Sequence, residues 1–299
     1  MTLRVESPEC IAPVGNRCGE GAVWHAAERA LYWTDINRFL IHRLDEQSRA
    51  VNSWLFEEPV TALTLTDRDD TLVVVFGSKA QLWQPASNTL GRILFQLSSW
   101  PTMRCNDARA DPRGSLWIGT MRNNVGSSGE NVAVTFGNGV LYRIENNGDV
   151  SEWKTGIGIS NTLTWSPEND RFYFGDSDTN VISVFSYDIR NGAISNETPF
   201  LSGYPHGFPD GSTMDAEGYL WNARYGSGSI IRVAPDGSVR YTLTLPVPNP
   251  TTCTFGGTDR TTLYITSAGA GHRLAGSLFA VRTNVQGLPE NRFLIGQSA

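Results

Sequence analysis

Four oxygen-bearing side chains, Glu20, Asn106, Asn161 and Asp210, stand at the head of segments that otherwise repeat one another: EGAVWHAAERALYW, NDARADPRGSLW, NTLTWSPENDRFYF and DGSTMDAEGYLW. Two carboxylates and two carboxamides offer hard oxygen donors, the chemistry of divalent-cation binding, and a carboxylate can also act as a base. Taken singly, Pro209-Asp210-Gly211 reads as a tight turn in which the aspartate hydrogen-bonds its own backbone. A polar leader that recurs in phase along the chain asks for a different account.

The phase identifies the elements that must position these residues. Asn161 takes the place of Glu20, Trp165 that of Trp24, and Phe172-Tyr173-Phe174 that of Leu31-Tyr32-Trp33. Leu116-Trp117 and Leu220-Trp221 fall at matching distances, and plainer copies are led by Thr61 and Thr252. Each copy runs on into a second apolar pair of strands, FLIHRLD, AQLWQP, GVLYRIE, VISVFSYD, SIIRVAP and GSLFAVR. Four short strands in roughly 40–55 residues is the size of a propeller blade. The prediction is an all-β chain, a six-bladed β-propeller with four-stranded blades, occupying residues 1–299 as one domain. LRVESPECIAP reads as an outer edge strand. A sandwich of evenly spaced strands is the alternative, and it gives no reason for the leaders to repeat in phase.

In a propeller the first strand of every blade lines the central channel, so Glu20, Thr61, Asn106, Asn161, Asp210 and Thr252 should ring one end of it. Two carboxylates in so small a space raise one another's pKa unless a cation lies between them. Oxygens from Glu20, Asn161 and Asp210, with or without Asn106, favour one divalent cation of the Ca²⁺, Mg²⁺ or Mn²⁺ kind, Ca²⁺ first; Zn²⁺ and Fe²⁺ fit such a set without being selected by it. The competing reading is a hydrogen-bonded polar plug. Segments 35–37, 121–136, 176–180, 225–228 and 268–275 should rise at the same rim, and the longest reads either as a lid or specificity loop or as an ordinary surface loop.

Composition narrows the partners. The net charge of −6 with no basic run argues against nucleic acid. No stretch approaches the roughly 20 apolar residues of a membrane span, and the first residues lack the apolar run of a signal peptide, so a cytoplasmic location is expected. Cys10, Cys18, Cys105 and Cys253 show no paired spacing and are expected as free thiols. No G-x-S-x-G elbow is present, and the four histidines bear no regular relation to the repeat.

GEGAVW, RCNDARADPRGSLWIGTM, ISNTLTWSPENDRFYFGDS, FPDGSTMDAEGYLWNA and CTFGGTDRTTLYIT together resemble the senescence marker protein/gluconolactonase/regucalcin family over nearly the whole chain. The resemblance implies a six-bladed propeller that binds one divalent cation and hydrolyses a sugar lactone. It also implies that Glu20, Asn161 and Asp210 are metal ligands, that Asp210 is the general base, and that Arg104 and Asn106 contact substrate. Two positions depart from the family. Asn161-Thr162 stands where Asn-Gly is common, which keeps the ligand, and Asn123 and Asn124 stand where some members carry a substrate-binding glutamate, which leaves the substrate preference open with Asn124 as the contact. A non-catalytic cation-binding propeller, a protein-interaction propeller and a related esterase or aldarolactonase are the rival readings.

Overall fold

The computed structural model describes residues 2–269 and 271–296. Six four-stranded antiparallel sheets form its blades. The first blade is Gly19–His25, Ala30–Asp35, Leu40–Asp45 and Val51–Leu55, from the axis outward. The next four begin at Val60–Leu65, Met103–Ala110, Ser160–Trp165 and Phe208–Met214. The sixth is built from both ends of the sequence: Pro250–Gly256, Thr262–Ser267 and Leu278–Arg282 are completed on the outside by Glu9–Ala12. The edge strand expected from the opening residues is this one. Among the described residues the helical structure is a single 3₁₀ turn, Ile36–Arg38, and no helix is long and apolar enough to cross a membrane.

Burial explains why the ring holds. Innermost strands such as Val60–Leu65 and Ser160–Trp165 are buried along their whole length, whereas outer strands such as Thr89–Gln96 are mostly exposed. The apolar core is divided into six layers, one between each pair of neighbouring blades. Trp24 and Leu31 of the first blade meet Ala12, Tyr264 and Leu278 of the sixth, so the sixth gap is sealed like the others. On the face away from the starts of the inner strands, the final described segment crosses several blades, with Leu288 N–H donating to Met214 O and Phe293 N–H to Leu65 O.

Polar hubs inside the blades add to this packing. In the third and fifth blades an aspartate in the first turn accepts two backbone N–H groups and an indole six residues on. Asp111 takes Arg113, Ser115 and the Trp117 Nε1–H, and Asp215 takes Glu217, Tyr219 and the Trp221 Nε1–H. Asp215 is fully buried and also holds Arg232 Nε at 2.8 Å. Removing one partner of a buried pair strands the other charge and costs about 3–5 kcal/mol. Asp215→Ala should lose stability of that order in chemical denaturation, and a loss below about 1 kcal/mol would show that Arg232 finds water instead. All four cysteines are free thiols.

Candidate active site

The register of each innermost strand slips close to its start, between Glu20 and Val23, Val60 and Ala62, Cys105 and Ala108, Asn161 and Leu163, Pro209 and Ser212, and Pro250 and Cys253. Every leader lies in or at the edge of one of these bulges. A bulge leaves a residue unpaired and re-aims its side chain, which is how a channel-lining strand presents a polar group to the axis. Pro209-Asp210-Gly211 is therefore not a turn: it is the bulge inside strand Phe208–Met214. The residues that break pairing for a turn break it here in mid-strand.

Glu20, Arg104, Asn106, Asn124, Asn161 and Asp210 all line one cavity of about 430 Å³ at the end of the channel where the inner strands begin. The two threonine leaders do not reach it. The Thr61 hydroxyl turns back to Val75 O at 3.3 Å, and Thr252 is buried against Gly211. His206 and His272 are not among the lining residues. The rim supplies Ile36, Met121, Phe136, Asp178 and Tyr225 to the cavity wall. Of the five rim segments expected, 268–275 adds no lining residue among those described, and Ala270 lies outside them.

The carboxamides are held in one orientation. Asn161 Nδ2 donates to Ser177 Oγ at 2.8 Å, and Ser177 Oγ donates onward to Pro209 O. That leaves Asn161 Oδ1 to the cavity side, where Asn106 Nδ2 approaches at 3.3 Å while donating to Ser160 O at 2.8 Å. Thr162 has φ of 52°, the left-handed region that glycine prefers, so the Asn-Gly habit of the family has a backbone reason. Threonine bears that strain here and uses its hydroxyl, donating to Asp210 O at 2.6 Å, where Asn222 Nδ2 also donates at 3.0 Å. Sequence reasoning singled out neither Ser177 nor Asn222 as support, since nothing in residue type marks a second-row hydrogen bond.

Electrostatics set this cavity apart. Burial pushes Glu20 well above the usual carboxylate range, and the Asp210 and Asp107 charges push it further. Burial and then the Asp107 charge do the same to Asp210. Asp107, beside them and partly exposed, is pushed up to about 6, chiefly by desolvation. Two carboxyl groups this close, both lining the cavity and largely withdrawn from water, must share a proton or share a cation. The donor set of two carboxylates and a fixed carboxamide oxygen, with no sulfur or imidazole, fits a hard divalent ion.

The 121–136 segment begins as strand, to Arg122, and then folds over the rim. Asn37 Nδ2 pins it by donating to Gly129 O at 2.8 Å and to Asn131 Oδ1 at 3.0 Å, and Phe136 reaches the cavity. Such bonds are worth about 1 kcal/mol each. Asn37→Ala should loosen this segment, read as faster amide hydrogen exchange over residues 123–136, and exchange unchanged from the wild type would mean that other contacts hold it.

Comparison with known proteins places the fold in a known family. The chain is 31% identical over 289 residues to the pentonolactonase XacC of Haloferax volcanii, covering 92% of this chain and 94% of that one. It is 31% identical over 264 residues to Homo sapiens regucalcin, covering 87% and 86%. Among solved structures, regucalcin from Agrobacterium tumefaciens, described as a calcium-binding protein, superposes with a TM-score of 0.87 at 28% identity over 95% of this chain and 96% of that one. Residues 18–269 match the SMP-30/gluconolactonase/LRE-like region, and the chain belongs to that family.

Proposed function

We propose that this chain hydrolyses the cyclic ester of a sugar acid to the open-chain acid, and that it does so with a divalent cation. The observation that carries the reading is the buried acid pair, Glu20 and Asp210, facing Asn161, Asn106 and Arg104 across one substrate-sized cavity. Glu20, Asn161 and Asp210 would hold the cation, which when bound supplies Lewis acidity toward a carbonyl oxygen. Names of relatives, a pentonolactonase and a sugar lactone lactonase, support aldonolactones as the general class.

The residues divide the work by position. Asp210, its backbone fixed by Thr162 and Asn222, takes the proton from the attacking water. The water oxygen bonds to the acyl carbon, the ring C–O bond breaks, and the proton passes to the departing ring oxygen, which becomes a hydroxyl. Arg104, Asn106 and Asn124 supply N–H donors to the hydroxyls and ring oxygen of the substrate. Ile36, Met121, Phe136 and Tyr225 cover its carbon face and keep out bulk water. The small-molecule partner sits within the propeller, and the absence of any basic run leaves nucleic acid without a surface.

The test is acid release followed by pH-stat over a panel of glucono-, galactono-, arabinono- and xylonolactone, with and without chelator. Release that chelation abolishes and a divalent ion restores supports the reading. No chelator-sensitive release from any lactone would leave a non-catalytic cation-binding propeller, the reading that the regucalcin relatives suggest.

A further inference from the structure

Arg104 is an uncommon buried cation. It is only 4% exposed, yet each acceptor that it meets is neutral: Asn124 Oδ1 at 3.0 Å from Nε, and Cys105 O at 3.0 Å and Asn106 Oδ1 at 2.5 Å from Nη1. Among the described residues no carboxylate lies within ion-pair distance of it. A guanidinium has five N–H groups. Three are spent on these acceptors, and both on Nη2 have no partner among the described residues. Nη2 is not one of the enclosed, partnerless polar atoms, so the uncovered part of this side chain faces the cavity that it lines. Arg104 is also the one basic residue among the cavity's described lining.

Burying such a charge costs several kcal/mol unless an anion or strong acceptors meet it. The acids nearest in the cavity, Glu20 and Asp210, act on Arg104 through space, but neither reaches it as an ion pair, and both belong to the proposed donor set of the cation. A ligand that brings its own anion would complete the arginine. We propose that Arg104 is the receptor for a free carboxylate carried by the substrate, so that the preferred lactones are aldarolactones and not neutral aldonolactones. This rests on the lactonase reading and narrows it. The two Nη2 N–H groups left over suit a monoanion through charge-assisted hydrogen bonds, roughly twice as strong as neutral ones. A phosphomonoester, with about twice the charge, would find one cation and, in Asp178, a further acid on the wall.

Asn124 makes the idea testable. It occupies the Nε edge with a neutral oxygen, so a glutamate there would neutralise Arg104 from within the protein and repel an anionic substrate. The experiment compares kcat/KM for D-glucaro-1,4-lactone, D-glucono-1,5-lactone and 6-phosphogluconolactone on the wild-type protein, Asn124→Glu and Arg104→Met. The expected wild-type order places the glucarolactone at least about tenfold ahead of the gluconolactone. Asn124→Glu should cut that ratio at least about tenfold, and Arg104→Met should do the same if it folds.

Calorimetric titration with D-glucarate and the carboxylate-free polyol D-glucitol gives a readout without turnover: glucarate should bind the wild type more tightly, and Asn124→Glu should erase the difference. Hydrolysis of gluconolactone with no preference for glucarolactone overturns this inference and leaves the lactonase reading standing. A preference for the phosphorylated lactone overturns the carboxylate assignment. Failure on every lactone removes the reading beneath both.

Discussion

Asp210→Asn is expected to lower lactone turnover by at least about 10²-fold, the low end of what a positioned general base contributes, even at cation concentrations high enough to offset a weakened affinity at the proposed site. The substitution keeps an oxygen in the same place, and Thr162 and Asn222 bond the backbone of residue 210, not its side chain. The bulge and the ligand position should therefore survive. What is lost is the ability to accept a proton from water. Single-turnover rates with cation binding measured in parallel separate the two effects. A variant that turns over like the wild type would move the proton to water in the second sphere and reduce Asp210 to a ligand.

Glu20→Gln should act on the other half of the site. The fold already bears the cost of placing two carboxyl groups side by side, and a divalent ion at the proposed site would offset it. Removing one charge from the donor set should weaken cation affinity by about 10²-fold, since a contact between charges at this depth is worth up to about 4 kcal/mol at an effective dielectric constant near 20 and an amide oxygen recovers part of it. Without cation the variant should be no less stable than the wild type, because a desolvated acid has been replaced by a neutral amide. The gain in thermal midpoint on adding the ion, which follows RT ln(1 + [L]/Kd), should shrink accordingly. Unchanged affinity in the chelated and reloaded variant would break the link between the acid pair and the ion.

The repeat was legible because it is a matter of spacing. Once Trp24 and Trp165 fall four residues, and Trp117 and Trp221 eleven residues, behind their polar leaders, a ring of blades places the leaders around an axis, and Glu20, Asn106, Asn161 and Asp210 do line one cavity. Bulges were illegible because different residues make them. Gly21 and Thr162 both adopt positive φ at equivalent points, and only one of the two is a glycine. Pro209-Asp210-Gly211 looked like a turn for the same reason, since local sequence cannot say whether a break in pairing ends a strand or bends it. Thr61 and Thr252 share the phase without the function, their hydroxyls being too short to leave the strand wall. That Arg104 meets only neutral acceptors was beyond sequence altogether, because it depends on which groups the fold brings to it.

The sixth blade carries a consequence for the order of assembly. In the other five blades each strand pairs with the next in sequence, across a short hairpin except where the long 123–138 segment intervenes, so these sheets can form from local contacts as the chain emerges during synthesis. Glu9 pairs with Ala280, about 270 residues downstream. Bringing such distant partners together costs roughly 3 kcal/mol more in loop entropy than closing a hairpin of about a dozen residues. Closure is thus the late and slow event, and until it happens Leu278–Arg282 is an unprotected edge, open to the same strand of another copy.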